Sequence, residues 1–490
     1  MKKPIFLRFH IIKISIFVFF LFQGCSSDEE NKSHTKIAIE KEIVKNEIKI
    51  DLPQIIKKDT ITAITQFNST SYFIFKGKPM GYEYELLELF SKDLNVELNI
   101  IITDNLDTAI SWLDSGKGDI IAKALTITKE RNNILNFSDY HTLTQQVIVQ
   151  RKPENWRKMT LDNISKQLIR DPINLINKKV HVKKSSPYYE RLNNLSDEIG
   201  GDIDIISVSE NMVTEDLIKM VADGEIDYTV ADKNIALVNK TYYPILDVET
   251  EVSFSQRIAW AVRKSSPKLL KAINKWIRKM RKETDYYVIY NKYFKNKRAA
   301  KRRMKSEYFS ASGGKISEFD EIIRKHSVNI NWDWRLLASQ IFQESRFDPK
   351  TKSWAGAKGL MQMMPKTAKE FGITKLFDPE ENIKAGTIYL KHISERFEHI
   401  ENPEEKIKYI LASYNVGYNH VHDARRLAKK HGGDPNVWDE NVSKYILLLS
   451  KPKYYNDEVV KYGYCRGSEP YNYVKEILKR HEQYKLFIKK

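Results

Sequence analysis

The sequence predicts two domains of different classes, an α/β domain followed by a mostly α domain. In residues 59–294, short β-branched runs alternate with stretches of helical periodicity, which is typical of α/β folds. In residues 316–490, apolar residues recur at helical spacing and the strand pattern disappears. Residues 295–315 combine a basic run with a Ser-Gly stretch and predict a basic linker between the two domains.

Individual elements of the first domain follow from residue spacing. Residues 61–65 and 96–102 predict strands, and residues 106–113 predict a helix that a following Asp-Ser-Gly ends. Residues 84–94 predict an amphipathic helix, because their large apolar side chains fall on one face. The alternation of these elements is the reason for predicting an α/β fold.

The chain is long and basic, with 490 residues, 41% of them hydrophobic, and a formal net charge of +17. That length suffices for two or three domains with their own cores. The charge favours polyanionic partners. However, the lysines are spread along the whole chain, and solubility is a sufficient explanation for them. No nucleic-acid partner is therefore predicted.

Cys25 and Cys465 lie in different contexts, and no Cys/His cluster has zinc-ligand spacing. Neither a disulfide framework nor a metal or other cofactor is predicted.

The first 24 residues have the pattern of a signal peptide. Lys2, Lys3 and Arg8 give a basic start, and residues 11–22 are nearly all apolar. Lys13 interrupts that apolar stretch, which leaves it too short to span a bilayer comfortably.

Gly24 and Cys25 follow the apolar run directly, and this segment resembles the lipobox of bacterial lipoproteins, with Phe22 where Leu is usual. In that family the Cys becomes the lipidated first residue of the mature protein. The resemblance implies a cell-envelope protein that acyl chains on Cys25 anchor to the outer membrane, facing the periplasm. The alternative is an ordinary signal peptide or anchor with an incidental Cys. Residues 25–58 are polar and charged and predict a flexible stalk.

Glu344 is the candidate general acid. Leu337, Ile341 and Glu344 stand at i, i+4 and i+7, so they share one face of a predicted helix. Burial on an apolar face raises the pKa of a carboxyl group, as a general acid near neutral pH requires. The alternatives are a buried Glu paired with an Arg and a helix-end Glu in solvent. Asp348 is the nearest second carboxylate, but it precedes Pro349, which favours the end of a helix.

Linked motifs surround Glu344. The chain carries Glu-Ser at 344–345, Gly-Leu-Met-Gln at 359–362, Ala-Ser-Tyr-Asn-Val-Gly at 412–417 and Glu469 with Tyr-Val at 473–474. In this order they resemble the lytic transglycosylases with a lysozyme-like fold, although Pro470 stands where Thr is usual. Several linked blocks are more specific than any single short motif.

This resemblance implies a reaction and a substrate. Glu344 would protonate the glycosidic oxygen between N-acetylmuramic acid (MurNAc) and N-acetylglucosamine (GlcNAc) in peptidoglycan glycan strands. It would then take the proton of the muramoyl C6 hydroxyl, which gives a 1,6-anhydro sugar without water. The substrate-binding residues expected are Ser353, Gln362, Tyr414, Asn415 and Tyr473. A hydrolytic lysozyme-type muramidase and a non-catalytic peptidoglycan-binding lipoprotein remain the alternatives.

The first domain carries a second set of motifs. Gly-Asp-Ile at 118–120 leads to Leu-Thr-Ile-Thr-Lys-Glu-Arg at 125–131, and Gly-Glu-Ile-Asp at 224–227 precedes Ala-Asp at 231–232. These blocks resemble the family-3 extracellular solute-binding proteins, which implies a two-lobed periplasmic-binding-protein-like domain. In that family the matching Thr and Arg hold a ligand carboxylate and the Asp contacts a ligand amino group. The candidate ligand-binding residues are therefore Thr126, Arg131, Asp232 and, at the start of a helix before Pro187, Ser185.

The fusion of the two modules behind a lipid anchor resembles the membrane-bound lytic murein transglycosylase F family. The resemblance implies a sensor domain at 59–294 that binds an amino acid or a muropeptide and regulates a catalytic domain at 316–490. A transport-associated solute receptor is the remaining alternative. The catalytic domain argues against it, because a transport receptor needs no wall-cutting partner. For Arg131 alone, a surface salt bridge is the alternative to ligand binding.

Overall fold

The computed structural model describes residues 48–210, 212–310 and 314–488. The strands in these residues are β1 (Thr60–Thr65), β2 (Phe73–Phe75), β3 (Lys78–Met80), β4 (Glu97–Ile102), β5 (Ile120–Thr126), β6 (Asn136–Phe137), β7 (Thr142–Thr144), β8 (Gln146–Arg151), β9 (Lys179–Lys183), β10 (Asp204–Val208), β11 (Tyr228–Asp232), β12 (Leu246–Asp247) and β13 (Gln256–Val262).

The α-helices in the same residues are α1 (Leu52–Lys58), α2 (Tyr82–Asp93), α3 (Leu106–Asp114), α4 (Lys129–Ile134), α5 (Leu161–Lys166), α6 (Pro187–Ile199), α7 (Thr214–Asp223), α8 (Lys233–Tyr242), α9 (Pro267–Met280), α10 (Thr284–Tyr290), α11 (Lys297–Met304), α12 (Asp320–Ser327), α13 (Trp334–Ser345), α14 (Pro365–Glu370), α15 (Pro379–Glu395), α16 (Pro403–Val416), α17 (Tyr418–Lys430), α18 (Ser443–Leu448), α19 (Pro452–Tyr455) and α20 (Ser468–Phe487). Within the described part of the chain, none of them has both the length and the apolar character needed to cross a bilayer.

Two sheets divide the first domain into two lobes. The first-lobe sheet has the order β4-β1-β5-β13-β6, with β7 also paired to β13, and the second-lobe sheet has the order β10-β9-β11-β8-β12. Strand β1 is parallel to β4 and β5, whereas β13 is antiparallel to β5. The chain enters the second lobe between β7 and β8 and returns between β12 and β13. The predicted two-lobed α/β domain followed by a mostly α domain is confirmed.

The central strands of the first lobe are buried on both faces. Ile61 and Ala63 of β1 point into a core shared with α2, while Ile64 points into a separate core beneath α3. Such strands read as continuous apolar runs, because helices cover both sides of the sheet.

A buried ion pair joins the end of β13 to the start of β5. The Arg263 guanidinium lies 3.0 Å from Asp119 Oδ1, and neither side chain is more than 5% exposed. Thr62 N donates to Asp119 Oδ2 at 2.9 Å, and Arg263 donates to Leu113 O at 2.8 Å. These hydrogen bonds satisfy charges that would otherwise be costly to bury.

The C-terminal domain packs its helices around one core. Helix α13 lies against α20, and α16 lies against α17 and α20. Leu337, Ile341, Ala412 and Ile477 meet in this core and are sealed from solvent. The spacing of apolar residues in the sequence follows from this arrangement, because each helix buries one face.

Two segments that the sequence predicts to be irregular are instead folded onto the first domain, α1 against the first lobe and α11 mainly against α8 of the second lobe. At the end of the predicted stalk, α1 buries Ile55, and its N-cap Asp51 accepts a hydrogen bond from Leu269 N at 2.8 Å. In the predicted linker, α11 buries Ala300, and Phe309 enters the first-lobe core. The polar composition of these two segments predicted irregular structure. Composition does not show that a few apolar side chains in them pack against residues far away in the sequence. The predicted signal peptide and Cys25 lie outside the described residues.

Candidate active site and ligand cavity

Helix α13 carries Glu344 in its last turn. Asp333 caps the helix by accepting a hydrogen bond from Arg335 N at 2.9 Å. Leu337 and Ile341 are fully buried, and Glu344 on the same face is half-buried at the helix end. The residue spacing thus places a carboxylate at the margin of an apolar core.

The backbone reverses direction directly after Glu344. Arg346 and Phe347 both adopt left-handed conformations, with φ of 54° and 63°. Two consecutive non-glycine residues in this region are unusual, and such backbone strain is concentrated at functional sites. The Arg346 N–H donates to Phe342 O at 3.0 Å and closes the helix.

Burial raises the pKa of Glu344 to about 7, and a hydrogen bond from the Tyr473 hydroxyl opposes that rise. The negative end of the α13 dipole acts in the same direction as burial, because Glu344 lies in the last turn. A carboxyl group with a pKa near 7 is present in both its protonated and its ionised form at neutral pH.

Tyr473 is held in place by a second buried side chain. Gln340 Nε2 donates to the Tyr473 hydroxyl oxygen at 3.1 Å, and the hydroxyl donates to Glu344 Oε1. Gln340 is fully buried, and its Oε1 has no partner among the described residues. Because the Tyr473 oxygen already accepts a hydrogen bond, its proton is directed to Glu344. Gln340 was not predicted as a site residue, although it stands one helical turn before Glu344 in the sequence.

Tyr414 connects α16 to the loop that carries the Gly-Leu-Met-Gln motif. Its hydroxyl donates to Met361 O at 2.8 Å and approaches Met363 Sδ at 3.2 Å. Burial raises the pKa of Tyr414 well above its usual value, and the charge of Glu344 adds to the effect. Gly386 of α15 permits this packing, because a Cβ there would lie 2.2 Å from Met361 Sδ.

The remaining predicted substrate-binding residues shape or flank the same loop. Gln362 has a φ of 48°, and its side-chain amide donates to Gly359 O at 2.8 Å. The Ser353 hydroxyl accepts a hydrogen bond from Ala357 N at 3.0 Å. Asn415 follows Tyr414 on α16 and is exposed. Gln362 and Ser353 thus stabilise the loop, whereas Asn415 presents its amide to solvent.

Trp354 is fully exposed at the tip of this loop. A turn in which Gly356 N donates to Ser353 O at 3.0 Å holds it there. A large aromatic ring without protein contacts is unusual on a soluble surface and is typical of a binding surface. The sequence analysis did not single it out, because one aromatic residue in a loop has no periodic pattern.

The four candidate ligand-binding residues of the first domain line one cavity between the lobes. Its volume is about 100 Å³, and Thr126, Arg131, Ser185 and Asp232 all contribute to its wall. Thr126 and Arg131 are buried, and Arg131 donates to Thr126 O at 3.2 Å. Ser185 is exposed, and its hydroxyl donates to the carboxylate of Glu210. The sequence motifs of both lobes therefore meet at one place.

Asp232 is a buried carboxyl group with an unused acceptor. Its Oδ1 has no partner among the described residues, and burial raises its pKa to about 7. A hydrogen bond with Tyr188 lowers the pKa only in part. A positively charged group placed in the cavity would favour the ionised form.

The segment after β1 joins three parts of the protein within four residues. Gln66 lines the ligand cavity, Phe67 stacks on Phe487 of α20 with ring centroids 4.3 Å apart, and Ser69 contacts the second lobe. Both the backbone N–H and the hydroxyl of Ser69 donate to Glu215 Oε1, at 2.9 and 2.7 Å. The ligand cavity, the second lobe and the C-terminal helix therefore share one short segment.

The β2–β3 hairpin provides a further contact between the domains. Tyr484 of α20 donates to Gly77 O at 2.8 Å, and Ile74 enters the core of the C-terminal domain. Gly77 has a φ of 73°, and a Cβ on it would lie 2.7 Å from the Phe347 ring, so only glycine fits here. Helix α20 thus carries Tyr473 near its start and contacts the first lobe near its end.

Comparisons with known families match both domains. Bacterial extracellular solute-binding proteins, family 3, match residues 60–296, and the transglycosylase SLT domain matches residues 321–437.

Solved structures of amino-acid-binding proteins match about half of the chain. A mutant of ArgBP from T. maritima is 24% identical with a TM-score of 0.42 and covers 50% of this chain and 100% of its own. An ancestral amino acid-binding protein is 26% identical with a TM-score of 0.41, over 50% of this chain and 98% of its own.

Curated relatives match nearly the full length. The membrane-bound lytic murein transglycosylase F of Desulfosudis oleivorans is 36% identical over 85% of this chain and 88% of its own. That of Photobacterium profundum is 29% identical over 97% of this chain and 86% of its own. Together with the fold and the site, these matches define an enzyme, a peptidoglycan lytic transglycosylase with a solute-binding domain. The chain belongs to the membrane-bound lytic murein transglycosylase F family.

Proposed function

We propose that this enzyme cleaves the β-1,4 bond between MurNAc and GlcNAc without water and leaves a 1,6-anhydro-MurNAc end. The observation that carries the proposal is Glu344, a half-buried carboxyl group with a pKa of about 7 and a hydrogen bond from Tyr473. Such a group is protonated often enough to act as an acid and ionised often enough to act as a base at neutral pH.

The proposed reaction uses Glu344 twice. Its carboxyl proton moves to the glycosidic oxygen, the bond from that oxygen to MurNAc C1 breaks, and the GlcNAc side leaves with a new hydroxyl group. The C6 oxygen of the same MurNAc then bonds to C1, and its proton returns to the Glu344 carboxylate. Glu344 ends as it began, and no water is consumed.

The surroundings of Glu344 support a reaction with a single carboxylate. Glycosidases that use water or a covalent intermediate place a second carboxylate roughly 5–10 Å from the first. Among the described residues, the hydrogen-bond partner of the Glu344 carboxyl group is the Tyr473 hydroxyl and not a second carboxyl group. Asp348, the nearest one in sequence, is exposed beyond the end of α13.

Five further residues are proposed to form the glycan-binding site, some by positioning other parts of the site and one by facing the substrate. Tyr473 positions the Glu344 carboxylate, and Tyr414 fixes the Met361 loop beside it. Gln362 and Ser353 give that loop its shape, and the exposed Asn415 offers a donor and an acceptor to substrate amide and hydroxyl groups.

Mass spectrometry of the soluble products from purified peptidoglycan tests the reaction. We expect anhydro-muropeptides from the wild type and none from Glu344→Gln. Glu395→Gln, which changes an exposed residue of α15, serves as the control and keeps full activity. Reducing-end products would instead identify a hydrolytic muramidase, and binding without any product would identify a peptidoglycan-binding protein.

The first domain is proposed to bind a small ligand, an amino acid or a muropeptide. Arg131 and Thr126 would hold its carboxylate, because a guanidinium pairs with both carboxylate oxygens. Asp232 would bind its ammonium group through the buried Oδ1 that has no partner among the described residues. Ser185 would contribute once its hydroxyl leaves Glu210.

Ligand binding is proposed to regulate the catalytic domain through α20. A ligand between the lobes would shift the segment that holds Gln66, Phe67 and Ser69, because this segment contacts both lobes. Phe67 would pass the shift to Phe487. Since α20 is one continuous helix, a displacement of its end changes how Tyr473 meets Glu344.

The Phe487→Ala variant tests this connection, with Leu486→Ala as a control because Leu486 is exposed on the same turn. A soluble muropeptide digest is added while anhydro product formation is followed. We expect the wild type and the control to change rate on addition and Phe487→Ala to remain constant. A response retained in Phe487→Ala would rule out this route.

We propose that Cys25 is lipidated and anchors the enzyme in the outer membrane, facing the periplasm. The apolar run before Gly24-Cys25 supports the proposal, and the matched relatives are named membrane-bound. Growth with a labelled fatty acid should label the wild type but not Cys25→Ala. A Cys25→Ala variant that still carries the label would contradict the proposal.

A further inference from the structure

The ligand cavity is lined by more cationic than anionic side chains. Lys123, Arg131 and Lys183 line it together with the carboxyl groups of Asp104 and Asp232. The charge of the cavity wall therefore favours an anionic ligand.

The proposed binding of an amino acid leaves two cavity cations, Lys123 and Lys183, without a ligand partner, and of these Lys123 is the buried one. It lies on β5 and is only 7% exposed. Its ammonium group donates to Asp104 O at 2.9 Å and Thr103 O at 3.4 Å. An ammonium group has three N–H donors, so one remains for a group in the cavity.

The environment of Lys123 disfavours a second cation. Its pKa is lowered to about 8, mainly by burial; the charge of Asp104 opposes this shift, and the charges of Lys183 and Arg131 contribute to it. A ligand with a cationic side chain would add to this repulsion. A ligand carboxylate would relieve it and would gain a charge-assisted hydrogen bond.

We infer that the ligand of this cavity is an acidic amino acid, whose side-chain carboxylate binds Lys123 while Arg131 and Asp232 hold its backbone groups. The inference rests on the proposed sensor role of the first domain and is independent of the reaction at Glu344. Lys123 is in this view the residue that determines ligand specificity.

Calorimetric titration of the purified protein with L-glutamate, D-glutamate, L-glutamine and L-arginine tests the inference. Glutamine is the matched probe, because it differs from glutamate only in the charge of the side chain. We expect one glutamate enantiomer to bind at least about tenfold more tightly than glutamine, which corresponds to 1.4 kcal/mol. In Lys123→Met this preference should fall to about twofold or less, while glutamine affinity is unchanged.

Lys129→Met is the control, because Lys129 is exposed and lies outside the cavity wall. It should keep the preference for glutamate. Glutamine or arginine binding as tightly as glutamate would overturn the inference while leaving an amino-acid sensor in place. Absence of binding by all four would overturn both the inference and the assignment of the cavity to free amino acids, and product analysis with Glu344→Gln would still report on the catalytic domain.

Discussion

The Tyr473 hydroxyl donates a hydrogen bond to Glu344 across 129 residues of sequence. The two side chains come from α20 and α13, which pack against each other in the catalytic domain. The far end of α20 contacts the first lobe through Phe487 and Tyr484. In the proposed regulation, a displacement of this helix would alter the hydrogen bond from Tyr473 and with it the protonation of Glu344.

Replacing Tyr473 by Phe should raise the pKa of Glu344. The hydroxyl stabilises the carboxylate and so lowers the pKa that burial has raised to about 7. A hydrogen bond to a charged group contributes about 1.5–3 kcal/mol, and one pKa unit is about 1.4 kcal/mol, so a rise of about one to two units is expected. The alkaline limb of the kcat/KM profile should move to higher pH by that amount. Tyr462→Phe, an exposed residue, should leave the profile unchanged.

Gln340→Leu should shift the same limb in the same direction by a smaller amount. Without the Gln340 donor, the Tyr473 proton is no longer directed to Glu344. The free energy of unfolding should change by less than about 1 kcal/mol, because the substitution also removes an unpartnered buried carbonyl group. Adding Gln340→Leu to the Tyr473→Phe variant should cause no further shift of the pH profile. Additive shifts in this double-mutant cycle would show that Gln340 does not act through the Tyr473 hydroxyl.

Trp354→Ala should weaken glycan binding without affecting the fold. The ring is fully exposed, so its removal costs no packing. Burying about 50 Å² of its surface on a sugar would contribute about 1.3 kcal/mol, so KM for glycan strands should rise by about tenfold. Trp354→Phe should retain part of the affinity. An unchanged KM in the Ala variant would exclude a role in substrate binding.

Ligand affinity should fall as the pH decreases from 7.5 to 5.5. Asp232 has a pKa of about 7 in the unliganded cavity, and an ammonium group binds its ionised form. Protonation below about pH 7 therefore competes with binding, and affinity for the glutamate enantiomer that binds more tightly should drop about 25-fold from pH 7.5 to 5.5. Asp232→Asn should bind weakly with no such dependence. A flat profile in the wild type would show that Asp232 does not contact the ligand amine.

Arg263→Met should destabilise the first lobe by about 3–5 kcal/mol, because it leaves the buried Asp119 without its cation. Urea denaturation followed by circular dichroism measures the loss. The matched variant Arg278→Met breaks an exposed pair with Asp139 and should cost less than about 1 kcal/mol. Equal effects of the two variants would contradict the role assigned to burial.

The sequence alone determined the order of the domains and the fold class and predicted Glu344 as the general acid, because hydrophobic periodicity and linked motifs are local patterns. The tertiary structure decided the rest. It placed α1 against the first lobe and α11 against α8 of the second lobe, joined Gln340 to Tyr473, and brought Lys123 into the cavity with Asp232. These relationships depend on contacts between residues far apart in sequence, and burial of a polar group is visible only when its surroundings are assembled.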